Sequence, residues 1–249
     1  NVSKLKKLGY YFVMPEKGML ACGYEGEGRL ANLHTIFETV QKLCAKRLKG
    51  KRIIVTSGGT SEAIDDVRVI TNRSSGKMGA AIAEEAYNQG ADVLFLKGKN
   101  SVDANVSKVI EFSDAKDLHS KIKEHVKRYD MIFHAAAVSD FTVKKKIGKI
   151  SSKKAVRLEL KPTTKIIDEI KRLNPKIRLI GFKLESKKGL VETAYKRLIK
   201  AKADFIVANS PTTLGQDIND VYLIDKDKKV INIKGTKKDI AKRLLDVSN

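Results

Sequence analysis

Residues 71–80, Thr-Asn-Arg-Ser-Ser-Gly-Lys-Met-Gly-Ala, bring an amide, a guanidinium, an ammonium, hydroxyls and glycines into one short run. Immediately after it Met78, Ile82 and Ala86 recur at helical spacing, which predicts a helix that begins near Gly76 or Lys77 and ends at Gly90. Hydroxyls and bare amides delivered to a helix N-terminus meet unsatisfied donors and the positive pole of the helix dipole, a setting for phosphate or another anion. The same residues also suit an ordinary capped start, with Ser74 or Ser75 as N-cap. The run is not a Walker A loop, because Thr71 stands where that motif needs Gly and Met78 follows Gly76-Lys77.

A second chemical segment is 138–154, Val-Ser-Asp-Phe-Thr-Val-Lys-Lys-Lys-Ile-Gly-Lys-Ile-Ser-Ser-Lys-Lys. It places Asp140 just past a predicted strand end and follows it with a basic, glycine- and serine-containing stretch. One reading is a solvated surface loop; the other is a mobile flap whose lysines cover a polyphosphate while Asp140 holds a divalent cation between phosphates. The histidines His34, His119, His125 and His134 show no ligand spacing with cysteines or carboxylates. His134 ends a buried strand, where core packing is the default and backbone contact to a ligand comes second. Residues 26–31, Gly-Glu-Gly-Arg-Leu-Ala, match a dinucleotide fingerprint, but no Val/Ile strand runs into them and the acidic residue expected about twenty positions on is missing. They read as a glycine-rich loop before the helix at 31–43.

The elements that must position these groups alternate from residue 51 onward. Strands are expected at 52–57, 92–98, 107–113, 131–137, 178–185 and 205–210, with helices at 114–129, around 164–174 and up to about Ala203. The tail reads as a hairpin turned at Asp225 to Lys228 and a last helix. Alternating strands and helices specify an α/β fold, a doubly wound, mostly parallel sheet of Rossmann type with a C-terminal β-hairpin and helix. Ligands in such sheets bind beyond the carboxyl ends of the strands. Those ends are Gly58-Gly59-Thr60, Val138 to Lys154, Phe182 to Glu185 and Asn209 to Asp220.

Composition narrows the partners. The formal net charge of +21 over 249 residues suggests nucleic acid, but lysine far outnumbers arginine, the basic residues spread along nearly every helix, and aromatics are only 6%. An anionic small molecule fits better than nucleic acid, and no apolar run reaches the length of a membrane span. Two cysteines, Cys22 and Cys44, in a lysine-rich chain with no signal-like opening point to a reducing cytoplasm. Residue 1 is Asn and lies in what reads as a strand-turn pattern, so the chain is expected to be cut from something longer.

The segments 57-SGGTSEAIDDVRVITNRSSGKMG-79, 135-AAAVSDF-141, 148-GKI-150, 181-GFKLES-186 and 207-VANS-210 resemble, in order, the motifs of phosphopantothenoylcysteine synthetase, the amide-forming enzyme of coenzyme A biosynthesis. The resemblance runs from about Gly50 to the C-terminus. Upstream, 18-GMLACGYEGEGRL-30 resembles a segment near the end of phosphopantothenoylcysteine decarboxylase, the flavoprotein fused ahead of the synthetase in the bifunctional enzyme. Residues 1–45 are thus expected to be the tail of a decarboxylase domain and 46–249 the ligase domain. By the same resemblance Cys22 matches the decarboxylase's catalytic cysteine, and FMN is expected only in the decarboxylase portion that would precede residue 1.

That resemblance implies a reaction in which 4′-phosphopantothenate attacks the α-phosphate of CTP to give an acyl-cytidylate and pyrophosphate, after which cysteine displaces CMP. It implies roles as well. Asn72 contacts the activated acyl group, Arg68 supports the pantetheine-like substrate, and Gly58, Gly59, Ser74, Ser75 and Gly76 offer donors to phosphate. His134, Ala135, Ala136, Phe182 and Thr164, Lys165, Ile166 and Ile167 line the nucleotide site; Asp140 holds Mg²⁺ or reads the nucleotide, and Lys149 is the flap lysine. The sequence departs from the family where Thr164-Lys165 replaces Pro-Asp and Ser210 replaces Asp. Two family lysines align with Arg197 and Ala201, so Lys200 or Lys202 substitutes with a shift. The resemblance also implies a homodimer. A nicotinamide oxidoreductase, the alternative, would carry its glycine fingerprint directly after the strand at 52–57, where Gly-Gly-Thr-Ser-Glu-Ala stands instead.

Overall fold

The computed structural model describes residues 1–19, 23–44, 46–153, 155–185, 188–210 and 218–248. In chain order the elements are α1 (Val2–Lys7), β1 (Glu16–Met19), β2 (Glu25–Arg29), α2 (Leu33–Cys44), β3 (Arg52–Ser57), β4 (Ser61–Ala63), β5 (Val69–Thr71), α3 (Lys77–Asn88), β6 (Asp92–Gly98), β7 (Lys108–Phe112) and α4 (Ala115–His125). They continue with β8 (Met131–His134), β9 (Phe141–Val143), β10 (Leu160–Pro162), α5 (Ile166–Leu173), β11 (Arg178–Leu184), α6 (Leu190–Ala201), β12 (Phe205–Asn209), β13 (Ile218–Asp225), β14 (Val230–Thr236) and α7 (Lys237–Ser248).

One eight-stranded sheet, in the order β14-β13-β12-β11-β8-β3-β6-β7, carries the molecule. From β7 to β12 every pairing is parallel, and the two C-terminal strands join antiparallel. The chain enters at β3, winds outward through β6 and β7, then returns to the other side of β3 at β8. This reversal makes a topological switch point between β3 and β8, where the loops leaving the two strands part and open a crevice.

The strands are apolar because both faces are covered. In β3, Ile53 and Val55 face one helical layer while Ile54 faces the other, as a period of two requires. The first layer is α3 and α7, which seat Ile82, Ala83, Ala86, Ile240, Leu244 and Leu245 on the sheet. The second is α4, α5 and α6, with Leu118, Ile122, Ile170, Ala194 and Leu198. The small residues of α3 let it lie close to β3: a Cβ on Gly79 would come 2.4 Å from Ser57 Oγ.

Several details differ from the expectations. The strand expected at 131–137 ends at His134, because Ala135 to Ala137 peel away to meet the β3 loop, with the Ala137 amide donating to the Gly58 carbonyl at 2.7 Å. The glycine-rich loop expected at 26–31 lies largely in β2, which pairs antiparallel with β1 outside the main sheet. The basic segment after β8 is anchored at its base by the β9–β10 ribbon, and a small β4–β5 hairpin precedes the 71–80 run.

Candidate functional site

The crevice at the switch point opens into a cavity of about 690 Å³. Its floor is the first turn of α3. Gly76 is the N-cap, at φ 76°, a left-handed conformation natural to glycine, and it has no side chain with which to cap. Ser74 and Ser75 therefore do not cap α3; Ser75 instead holds the neighbouring loop through its carbonyl, which accepts from the Val102 amide at 3.1 Å. The i→i+4 ladder starts with the Ala80 amide donating to the Gly76 carbonyl at 3.0 Å, which leaves the amides before it at an uncapped positive helix end. The Ser57 hydroxyl donates to the same carbonyl at 2.7 Å and fixes the turn to β3.

The facing wall is built from backbone. Asn72 Nδ2 donates to the carbonyls of Ala137 and Val138 at 3.2 and 3.1 Å, so the 71–76 loop is tied to the segment leaving β8. Thr60 stitches the same region, its Oγ1 accepting from the Ser139 amide at 2.9 Å and its carbonyl accepting from Thr71 at 2.8 Å. The Thr163 hydroxyl donates to the Ser139 carbonyl at 2.6 Å and carries the wall on to the start of α5.

The charged groups are arranged around this frame. Asp140 forms an ion pair with Lys165 at the lip, and both are largely exposed. Arg197 reaches the cavity from α6 and is held by Asp168 of α5. His134 is buried at the end of β8, its Nδ1 3.0 Å from Thr56 Oγ1, and that hydroxyl accepts from the Ala136 amide at 3.1 Å. Burial pushes the imidazole down to about 4, with Arg197 adding to the effect, so the ring is neutral at ordinary pH.

Of the residues singled out from sequence, Asn72, Ser74, Ser75, Gly76, His134, Ala135, Ala136, Asp140, Thr164, Lys165, Ile166, Ile167, Phe182 and Arg197 line the cavity together. Gly58 and Gly59 lie behind it. A Cβ on Gly58 would meet Ser101 Oγ at 1.5 Å and one on Gly59 the Asn72 carbonyl at 3.0 Å, so these glycines let three loops converge. Lys200 lines a separate cleft with Asp168, Lys171, Arg172 and Lys202, because it lies nearly a turn beyond Arg197 toward the end of α6 where the strands begin. Arg68 and Lys149 do not line the cavity; both belong to a neighbouring unit of the 64–68 turn and the flap. Cys22, Lys154, Ser186 and the segment 211–217 lie outside the described residues.

Arg73, Lys77, Lys183 and Asn219, which lie in segments singled out from sequence without a role of their own, also line the wall, and so does Lys237, which sequence reasoning missed. Arg73 and Lys77 could have been found, since they flank Ser-Ser-Gly. Lys237 could not, because only the packing of α7 brings it there. Among the described residues no three His, Cys, Asp or Glu side chains gather as a metal site. Asp140, exposed at the lip and paired with Lys165, offers one carboxylate, as a hydrated Mg²⁺ that takes its other oxygens from substrate phosphates would require.

The fold and cavity together define a doubly wound α/β protein whose switch point opens into a cavity lined by an uncapped helix N-terminus and by cationic side chains. The family model of the DNA/pantothenate metabolism flavoprotein C-terminal domain matches residues 48–248, and the chain belongs to this family. It is 42% identical over 255 residues to the coenzyme A biosynthesis bifunctional protein CoaBC of Thermococcus kodakarensis, covering 99% of this chain and 61% of that protein. Against the CoaBC of Bacillus subtilis the identity is 36% over 239 residues, covering 91% of this chain and 59% of that protein. The chain thus spans about three-fifths of the length of these curated relatives. Among solved structures, the DNA/pantothenate metabolism flavoprotein from Streptococcus pneumoniae superposes with a TM-score of 0.73 at 36% identity, covering 80% of this chain and 98% of that one. The C-terminal domain of a CoaBC superposes at 0.69 and 34%, covering 81% and 95%.

Proposed function

We propose that the chain is a phosphopantothenate–cysteine ligase of coenzyme A biosynthesis, using CTP to activate the carboxylate of 4′-phosphopantothenate and then joining it to cysteine. The observation that carries the reading is the uncapped N-terminus of α3 facing the Ala135–Asp140 wall and the start of α5 within one cavity, in a chain of this family. A carboxylate is a poor acylating agent. The site must bring two anions together and offset the charge of departing pyrophosphate, which calls for amide donors and cations.

The amides at the start of α3 and the hydroxyls of Ser74 and Ser75 receive phosphate oxygens in this reading. Arg73, Lys77, Arg197 and Lys237 supply positive charge around them. Ala135, Ala136, Ile166, Ile167 and Phe182 form the apolar and backbone surface for the base and ribose. His134 is a neutral wall residue held by its Nδ1 contact with the Thr56 hydroxyl. Asp140, with oxygens of the triphosphate, would hold Mg²⁺, which when bound screens the phosphate charge. Asn72 bridges the helix loop and the β8 loop at the place where the acyl group is to be exchanged. Lys149 supplies the flap's positive charge.

A pyrophosphate-release assay with 4′-phosphopantothenate, cysteine and each of the four nucleoside triphosphates tests the reading. Pyrophosphate release that depends on phosphopantothenate and is fastest with CTP is expected. Release independent of phosphopantothenate, or none with any triphosphate, overturns it.

A further inference from the structure

Between β4 and β5 the chain turns through Ile64–Arg68, and one carboxylate fastens this turn to the flap. The Asp65 side chain is 0% exposed. Its Oδ1 accepts from the amides of Val67 and Arg68 at 2.8 and 2.7 Å, which shapes the turn itself. Its Oδ2 does something the turn does not need: it accepts from the Ile150 amide at 3.1 Å and lies 3.1 Å from Arg68 Nε. The Arg68 guanidinium in turn donates to the Ile150 carbonyl.

The neighbouring residues repeat the tie. Asp66 Oδ2 accepts from the Gly148 amide at 2.7 Å, Lys145 pairs with Asp66 at 2.7 Å, and the Lys146 amide donates to the Ile64 carbonyl at 3.0 Å. Lys149 is therefore held through the backbone on both sides while its own side chain stays exposed. Enclosing a carboxylate costs free energy unless its lone pairs are filled. Enclosure alone would raise the Asp65 acid; the amides of Val67, Ile150 and Arg68 and the nearby guanidinium outweigh it and hold the group below the ordinary carboxylate value.

We infer that Asp65 is a positioning residue, which sets Arg68 and the Gly148–Ile150 turn as one rigid unit, so that the guanidinium and the Lys149 ammonium are held together beside the cavity for their part in ligation. The inference rests on the ligation role proposed for Lys149 and on the substrate-supporting role that the family resemblance implies for Arg68, and it gives Asp65 no substrate contact of its own.

Asp65→Asn in the full chain tests it. The asparagine keeps an oxygen for the Val67 and Arg68 amides but turns a donor toward the Ile150 amide and Arg68 Nε, so the turn is retained and the flap is released. Single-turnover pyrophosphate release should slow roughly 10- to 100-fold, the effect of a small misplacement of a catalytic group, with the KM for triphosphate little changed. The Asp65→Asn/Lys149→Gln double variant should fall within about threefold of the slower single variant, because the two changes remove one function. Multiplying effects, or a wild-type rate in Asp65→Asn, overturn the inference. If Asp65→Asn does not unfold cooperatively, Ile150→Pro removes the amide donor, besides fixing φ there and restricting Lys149 to extended backbone, and should slow release at least as much; an unchanged rate there also overturns the inference. If Lys149→Gln alone keeps the wild-type rate, the ligase role of Lys149 falls, and the same cycle with Arg68→Gln decides for Asp65: additive effects overturn it and shared effects support it.

Discussion

Both Nδ2 hydrogens of Asn72 are taken by backbone carbonyls, so the amide oxygen is the group left for a ligand. Asn72→Asp would set an anionic oxygen against the carbonyls of Ala137 and Val138 and, under the proposed function, place charge beside the activated acyl group while leaving the proposed triphosphate contacts at α3 in place. The variant should form and accumulate the acyl-nucleotide yet make product about 100-fold more slowly. Lys149→Gln should instead slow the first half-reaction by roughly 10²–10³, since it removes a charge that matters as pyrophosphate departs. Rapid-quench assays with labelled phosphopantothenate separate the two; intermediate accumulating in the lysine variant would reverse the assignments. His134 gives a prediction in pH. Its folded value of about 4 lies below the ordinary 6.5, so the fold favours the neutral ring. The stability this confers is complete above about pH 6.5 and is lost as pH falls toward 4, because the unfolded chain binds the proton first. Thermal midpoints measured from pH 7 to 4.5 should fall less steeply in His134→Gln than in the natural chain.

At the scale of elements, the site depends on how closely α3 seats on β3. Alanine is a better helix former than glycine by about 1 kcal/mol, but at position 79 sterics decide, because the added Cβ would lie 2.4 Å from Ser57 Oγ and 2.6 Å from its Cβ. Gly79→Ala should therefore lower stability by about 1–3 kcal/mol, as overpacking does, and weaken triphosphate binding as the first turn of α3 is pushed off the sheet. Calorimetric unfolding and nucleotide titration check both effects. The α3 helix was legible because Met78, Ile82 and Ala86 keep a 3.6-residue period, and the core strands because runs such as Ile53-Ile54-Val55 are apolar on both faces. The β4–β5 and β9–β10 pairs were not legible: each strand has only three residues, too few for a period of two, and the link between Val143 and Leu160 is written in lysines that read as a loop. At the site, the loop residues from Asn72 to Gly76 showed themselves through local chemistry. The separation of Lys149 and Arg68 from the cavity wall did not, because it depends on Asp65 and Asp66 joining segments more than 80 residues apart.

For the whole molecule, burial begins in earnest near residue 48. Among the described residues before Leu48, Ala31 is the buried one, whereas Leu48 is 1% exposed and its amide donates to the Gln89 carbonyl at 3.0 Å. We propose that residues 1–45 belong to the end of a decarboxylase domain, whose partners would cover Tyr10, Tyr11, Tyr24 and Phe37. Removing those residues should leave ligase turnover within a few fold, and a larger loss would show that they complete the ligase. We also propose that the ligase portion is a homodimer, since β14 leaves a sheet edge open and the β9–β10 ribbon exposes Phe141 and Leu160. Light scattering at micromolar concentration should give twice the chain mass; a monomer would count against it. The strand order also sets a timetable for synthesis. Because β3 is central and the strands from β8 to β14 are added outward in sequence, each strand leaving the ribosome finds a finished edge to join. The cavity wall, however, includes Asn219, Val221 and Lys237. A nascent chain stalled before β13 would thus hold a nearly complete sheet with a bare, apolar β12 edge and a cavity open on one side. A stage open to wrong strand pairing therefore comes just before the cavity wall is completed.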